Sequence, residues 1–322
     1  MKAIVNTSPD QLMLLDYDLP EPQPGQVRIR TVACGICATD LEMIAGWDRT
    51  AFPATPGHEW AGCVDAVGAG VDPALVGQSC VAENVLADGG EVGFEHPGGY
   101  GQFLITERPN LRLLPPDFPP STATLIEPLA VCIRALRRLN LHEQHAALIC
   151  GDGSIGLLSL MLLRHLNVQQ IAMIGGREGR LALARDLGAA ATFNFTQLGD
   201  DLISAVQARF EAFPTIVEAS GSASGLQNAL KLIAREGQLL LIGDYKGARA
   251  DFPWNLLIHR EIALMGSNAS AGAWDEAVRL AIIEHLPLSR LITHTFPALR
   301  YEEAFALVRS QRDDVVKVVL EW

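Results

Sequence analysis

The sequence lacks the features that would place it in several broad classes. It has no run of basic residues, and its 37 acidic against 25 basic side chains give a net charge of −12, which argues against a nucleic-acid partner. Its apolar runs, the longest near Leu157–Leu163, are too short to span a bilayer. The start, MKAIVNTSPD, has no apolar signal-peptide core, so a cytoplasmic location without membrane association is expected. The six cysteines, at 34, 37, 63, 80, 132 and 150, form no disulfide framework, and there is no second C-x-x-C to complete a structural zinc knuckle with Cys34-x-x-Cys37. Internal repeats and low-complexity tracts are also missing.

What is there is a globular composition: 49% hydrophobic and 19% charged over 322 residues, enough for two domains with cores of their own. Residues 1–129 read as short strands punctuated by glycine and proline: Ala3–Asn6, Leu12–Leu15, Gln26–Ala33, Ala61–Val67 and Ser79–Ala82. From residue 130 to 270 strands alternate with helices. Ala146–Cys150, Gln170–Ile174, Thr192–Phe195, Thr215–Ala219, Gln238–Ile242 and Ile262–Gly266 are the expected strands. Helices are expected after the first strand and at Arg180–Leu187, Asp201–Phe210 and Ala223–Ile233. Short links between alternating elements predict an α/β domain with a doubly wound parallel sheet. Residues 271–322, with helices at Trp274–His285 and Glu302–Ser310 and a strand at Val315–Leu320, are expected to return to the first domain.

The stretch AALICGDGSIGLLSLMLLR, Ala146 to Arg164, organises the second domain. A buried-strand pattern runs into Gly151, Gly153 and Gly156 in G-x-G-x-x-G spacing, and an apolar helix follows. In that setting Gly151 makes the tight turn, Gly153 lets a pyrophosphate approach, and Gly156 lets helix and strand pack closely. Ser154 and Ile155 open the helix, whose N–H groups and dipole face an anion. A dinucleotide site is expected here.

A second constellation lies in the first domain. CGICATD, Cys34 to Asp40, and PGHEW, Pro56 to Trp60, supply a thiolate, an imidazole and a carboxylate. Cys37, His58 and Glu59 are thus a reasonable ligand set for Zn²⁺ with one position open to substrate.

Taken together these motifs resemble the zinc-dependent medium-chain dehydrogenase/reductase family. CGICATD is similar to its zinc-cysteine motif, with Cys37 the ligand. Gly57-His58-Glu59 is similar to its G-H-E. LIEPLAV, Leu125 to Val131, resembles the E-P-L segment of the polyol, sugar and threonine dehydrogenase branch, where Glu127 stands in for the second cysteine of the alcohol dehydrogenases. VEASG, Val217 to Gly221, and ITHTFPAL…EAF…KVVL also look like the family. The resemblance implies a Rossmann sheet inserted in a β-rich GroES-like catalytic domain. It also implies hydride transfer between a secondary alcohol and a nicotinamide cofactor, and a homodimer or homotetramer. Thr39 matches the position that relays the substrate's proton, and Asp40 the carboxylate that orients His58. Glu59 either ligates zinc or stands behind it; Glu127 either ligates zinc or holds a zinc-bound water. Trp47, Trp60 and Tyr100 either line the substrate cleft or, as aromatic residues more often do, sit in the core.

Two departures matter. The family's structural-zinc lobe carries four cysteines, but Val81–Pro97 has none, so one zinc per subunit is expected. Glu42 stands where many members have a relay histidine, and is either a substitute or a solvated side chain. For the cofactor, Gly175 occupies the place of the ribose-binding acid, beside Gly176, Arg177 and Arg180. The missing acid and the fixed charge of Arg177 favour NADP over NAD; the opposing reading gives the ribose to Glu178. The competing functional classes are a zinc-free quinone or enone reductase and a non-catalytic nucleotide-binding protein.

Overall fold

The computed structural model describes residues 1–141, 146–249, 252–310, 312 and 315–322. They form two compact units: Met1–Ala130 with Ala271–Trp322, and Val131–Ser270.

The first unit begins with an antiparallel pair, β1 (Lys2–Ser8) and β2 (Gln11–Asp16). β3 (Gln26–Ile36) alternates at first, burying Val27, Ile29 and Thr31, and is then continuously buried from Ala33 to Ile36. That change delivers the chain into the core just before Cys37. β4 (Glu59–Val67) runs antiparallel to β3 with Glu59 opposite Gly35. β5 (Ser79–Ala82), β6 (Phe103–Glu107) and β7 (Leu111–Leu113) follow.

The second unit holds β8 (Ala146–Cys150), β9 (Gln170–Gly175), β10 (Ala191–Asn194), β11 (Phe213–Glu218), β12 (Ile233–Leu241) and β13 (Ala263–Gly266). All pairings are parallel, in the order β10-β9-β8-β11-β12-β13. The order reverses between β8 and β11, so a crevice opens at their carboxyl ends, the usual ligand position in a doubly wound sheet. Helix Ser154–His165 is buried along Gly156–Leu163, consistent with a sequence apolar on every face. Phe193, Phe210 and Phe213 meet as an aromatic cluster under this sheet. Phe210 therefore belongs to the core as a loop residue, and the helix expected over Asp201–Phe210 covers only Leu202–Gln207.

The chain then returns to the first unit as β14 (Ile292–Pro297) and β15 (Lys317–Glu321). β14 has no counterpart among the expected strands. It is a half-exposed sheet-end strand carrying Thr293, His294 and Thr295, so its alternation is weak. The sheet runs β14-β15-β3-β4-β5-β7, with β6 also paired to β3. β15 lies against the end of β3, Val318 opposite Ile36, which brings the last strand to the edge of the Cys37 site. No helix among the described residues is long and apolar enough to cross a membrane.

Candidate active site

Cys37 sits at the turn from β3 into helix Ala38–Ile44, its own backbone still extended at φ −100° and ψ 158°. His58 immediately precedes β4 and Glu59 opens it. One ligand atom from each of Cys37, His58 and Glu59 lies within 4.8 Å of the others, and no other such group occurs among the described residues. Sulfur, nitrogen and carboxylate oxygen in one cluster, with His58 and Glu59 buried and Cys37 half-buried, are the donor chemistry of a zinc site, so these residues fit a zinc ion.

Asp40 organises the imidazole. It is fully buried, and its Oδ2 accepts the backbone N–H of Cys37 at 2.8 Å and the hydroxyl of Tyr100 at 2.9 Å. Its Oδ1 lies 3.3 Å from His58 Nδ1. Burial opposes charge on both partners, but their mutual attraction wins: the His58 pKa is held well above the usual imidazole range and that of Asp40 below the usual carboxylate range. With Nδ1 facing a carboxylate, the opposite ring nitrogen is left as the ligand atom. Tyr100 is thus a second donor to Asp40 inside the core, and Trp60 is likewise buried, its Nε1 donating to Asn84 at 3.1 Å. Both are core residues. Trp47 is 39% exposed.

Glu59 is clamped. Both its oxygens accept from Lys317 Nζ at 2.7 Å, and both residues are buried. Burial disfavours the ammonium, yet Glu59, together with Cys37 and Asp40, offsets this and raises the Lys317 pKa. Gly35 makes room for the pair, since a Cβ there would collide with Glu59 Oε2. Glu127 stands in the first turn of helix Ile126–Leu136, outside the three-residue group. Its pKa is pushed up to about 7, chiefly by burial, with His58 pulling it down and Glu59 pushing it up. The half-buried Thr39 has its hydroxyl 3.7 Å from Cys37 Sγ.

Sequence reasoning missed several parts of this site. Lys317 is one; its signal was a single charge inside the apolar run Val315–Leu320. The cysteine-free segment after β5 supplies others. Phe94 packs on the His58 ring with centroids 4.9 Å apart, and the Arg49 guanidinium lies 4.5 Å over the Phe94 ring. Arg49 is itself paired with Glu91 at 2.9 Å and Glu95 at 2.5 Å. Asn84 Nδ2 donates to the His58 carbonyl at 2.8 Å. The shortened lobe is therefore tied down by charge and ring contacts, and it presses on the imidazole.

In the second unit a cavity of about 540 Å³ opens at the carboxyl ends of β8, β9 and β11, lined by Gly151, Gly153, Gly175, Arg177, Arg180 and Ser220 among others. Gly151 has φ +119°, and a Cβ there would meet the Ala219–Ser220 backbone at 2.8 Å, so this turn needs glycine. A Cβ on Gly156 would strike the Gly151 carbonyl, whereas one on Gly153 would enter open space. The first contact is a packing requirement; the second is a cradle that a phosphate can enter. Ser154 and Ile155 follow at the helix start, with Gly153 as its extended cap. Gly175 ends β9 and Gly176 turns the chain toward Arg177 and Arg180, whose guanidiniums converge on Asp152 at 3.9 and 3.7 Å. Glu178 is engaged elsewhere, by Arg185 at 2.8 Å and Asn194 at 3.3 Å.

Comparison with known proteins agrees with this architecture. Residues 121–322 match the glucose dehydrogenase C-terminus family and residues 23–116 the alcohol dehydrogenase GroES-like domain. The L-threonine 3-dehydrogenase of Saccharopolyspora erythraea is 28% identical over 347 residues, covering 100% of this chain and 99% of that protein. The galactitol 1-phosphate 5-dehydrogenase of Escherichia coli K12 is 27% identical over 321 residues, covering 91% and 92%. The crystal structure of galactitol-1-phosphate dehydrogenase from Escherichia coli has a TM-score of 0.89 at 26% identity, with 100% of both chains covered. The chain belongs to the zinc-type medium-chain dehydrogenase/reductase family, in its polyol and threonine dehydrogenase branch.

Proposed function

We propose that the protein is a zinc-dependent oxidoreductase that moves a hydride between a secondary alcohol (a polyol, a sugar or a related compound) and NADP. The observation that carries this reading is the convergence of Cys37, His58 and Glu59 within 4.8 Å, with Asp40 behind the imidazole at 3.3 Å. Cys37 and His58 hold the single zinc of each subunit, with Glu59 and Glu127 as the carboxylates that complete or support its shell. Bound zinc supplies Lewis-acid polarisation of the substrate oxygen, and bound nicotinamide supplies the hydride acceptor or donor. The chain's own groups do the rest. Asp40 fixes the His58 ring, Lys317 balances the charge of Glu59, and the Thr39 hydroxyl relays the substrate's proton, taking it at Oγ1 as its own hydroxyl proton passes on to solvent water, with both transfers reversed in the other direction.

For the cofactor, Gly151, Gly153, Ser154, Ile155 and Gly156 take the pyrophosphate, and Gly175, Gly176, Arg177 and Arg180 take the adenosine end. Support for NADP is the absence of a side chain at Gly175, the two guanidiniums over the same cavity, and the engagement of Glu178 by Arg185. The relatives named above are dehydrogenases of threonine and of a polyol phosphate, both secondary alcohols, and the substrate here is a small secondary alcohol of the polyol, sugar or related kind. A homodimer or homotetramer is supported by β13, an end strand of its sheet with Ala263 and Leu264 exposed, and by Trp254 and Ile258, 69% and 71% exposed on one helix.

The test is metal analysis of the purified protein, followed by absorbance at the reduced-nicotinamide band. Both NAD and NADP are assayed over a panel of polyols, sugars, polyol phosphates and hydroxy amino acids. About one zinc per chain and turnover faster with NADP are expected. A metal-free protein with turnover points to the quinone or enone reductase class, and no turnover with any alcohol to a non-catalytic role.

A further inference from the structure

We infer that Asp152, the second residue of the glycine loop, is a specificity-determining residue that limits how strongly this cavity prefers a 2′-phosphate to a 2′-hydroxyl. The inference rests on the reading that the cavity takes a nicotinamide dinucleotide.

Asp152 is 7% exposed and lines the cavity. Its Oδ2 accepts two backbone N–H groups of the β9–helix connection, Gly176 at 2.9 Å and Arg177 at 2.8 Å. Its Oδ1 has no hydrogen bond among the described residues and lies between two guanidiniums, Arg177 Nη1 at 3.9 Å and Arg180 Nη1 at 3.7 Å. Both distances are too long for a hydrogen bond. The carboxylate thus has one oxygen committed to the loop and one turned to the cavity.

Its position gives that second oxygen a meaning. A Cβ built on Gly175 would meet the Cβ and Oδ2 of Asp152, each at 2.6 Å. Asp152 therefore fills the space into which a side chain from the end of β9 would project. That strand end is where a dinucleotide-binding fold ordinarily places the acid that accepts the ribose hydroxyl. Here the acid is not lost but transferred to the neighbouring loop, and Gly175 is bare because Asp152 occupies its volume.

The charges decide the consequence. An isolated carboxylate at this place repels a 2′-phosphate; one with two guanidiniums within 4 Å of it does not do so fully, because their charge opposes its own. Oδ1 accepts the 2′-hydroxyl of NAD, while Arg177 and Arg180 attract the 2′-phosphate of NADP. Both cofactors enter, and Asp152 keeps the preference for NADP modest.

Five forms of the protein, the unsubstituted chain and four variants, are titrated separately with NADH and NADPH, following the fluorescence of the reduced nicotinamide. Asp152→Asn keeps an oxygen for the Gly176 and Arg177 amides and removes the charge. It is expected to bind NADPH several-fold more tightly and NADH on the order of tenfold more weakly, as for loss of one charge-assisted hydrogen bond. D152G is expected to lose NADH affinity too. The double exchange D152G/G175D, with the vacated space open to a carboxylate from β9, is expected to recover NADH binding above D152G alone. A mere brace for the loop has no reason to be rescued in this way. Equal weakening of both cofactors in D152N, or no recovery in the double exchange, overturns the inference. Arg177→Ala tests the underlying NADP reading separately: it should lose NADPH affinity at least tenfold and spare NADH. If the unsubstituted protein binds neither nucleotide, the cofactor reading fails and the inference fails with it.

Discussion

Lys317 Nζ lies 2.7 Å from both carboxylate oxygens of Glu59, and neither side chain reaches solvent. The two residues are 258 positions apart in the chain. The return of the C-terminal segment therefore completes the charge balance of a site whose other residues lie near the amino end. A carboxylate buried beside a second one is costly unless a cation attends it, and Lys317 attends Glu59.

Replacing Lys317 with methionine should consequently do more damage than its volume suggests. Removing one partner of a buried pair leaves the other charge uncompensated, a loss of about 3–5 kcal/mol. K317M is expected to unfold at markedly lower denaturant concentration. The double variant E59Q/K317M, which removes both charges, should recover part of that loss. Denaturant titration of the unsubstituted protein, K317M, E59Q and the double variant checks this, and additive effects in the double variant would show that the pair is not coupled.

The contact of Asp40 with His58 makes a different prediction, read in metal rather than in stability. Asp40→Asn keeps an acceptor for the Cys37 N–H and the Tyr100 hydroxyl but removes the charge facing Nδ1. Loss of a carboxylate behind a ligating histidine typically costs about 10–100-fold in metal affinity. D40N should therefore hold zinc 10–100-fold more weakly, while C37S and H58A hold none and all three still bind reduced nicotinamide. Zinc content after dialysis against graded chelator reads this directly. Full zinc retention in C37S or H58A would falsify the metal assignment.

The clasp between Arg49 and the cysteine-free segment carries a pH dependence. Hydrogen bonding to Arg49 depresses the pKa of Glu95 from the usual carboxylate range to about 2. A depressed carboxylate contributes stability that is present above its unfolded pKa and disappears as pH falls through the folded value. Glu95→Gln should thus lower the melting temperature at pH 7, and the difference from the unsubstituted protein should shrink from about pH 4.5 downward and vanish near pH 2. Because the pair is partly exposed, with side chains 33% and 39% accessible, only about 1–2 °C is expected. Melting curves of both proteins across that range decide it; a difference constant with pH would assign the effect to packing.

Local patterns made much of this protein legible in its sequence. The parallel sheet follows from alternating apolar strands and helices with short links, and Gly151, Gly153 and Gly156 announce their turn because each spacing answers a steric need. Cys37 and His58 stand out because their residue types are rare and reactive. What stayed hidden depends on contacts between distant segments. Lys317 acquires its role only when β15 pairs with β3. Phe94 and Arg49 read as loop residues until the segment after β5 folds back on His58. Asp152 reads as an ordinary variable position of a glycine loop until the missing side chain of Gly175 shows what its carboxylate replaces. β14 escaped for the opposite reason: Thr293, His294 and Thr295 on a half-exposed strand give too little alternation to register.

Gly35 offers the sharpest test of how tightly the Glu59 pair is held. It faces Glu59 across the β3–β4 ladder, and a methyl group there would overlap Oε2. That oxygen has nowhere to retreat, because Lys317 holds it from the other side at 2.7 Å. Gly35→Ala must therefore displace either a strand or the ion pair, and overpacking of this kind costs about 1–3 kcal/mol. The cost should depend on the carboxylate rather than on the glycine. In the background E59A/K317M the obstructing carboxylate is gone, leaving only the Cβ of position 59 at 3.3 Å, and the same methyl should cost much less. A thermodynamic cycle over these four proteins, measured by denaturant unfolding, is expected to give a coupling of about 1–3 kcal/mol between position 35 and the pair. If G35A is as costly without Glu59 as with it, the strand backbone and not the clamped carboxylate sets the need for glycine.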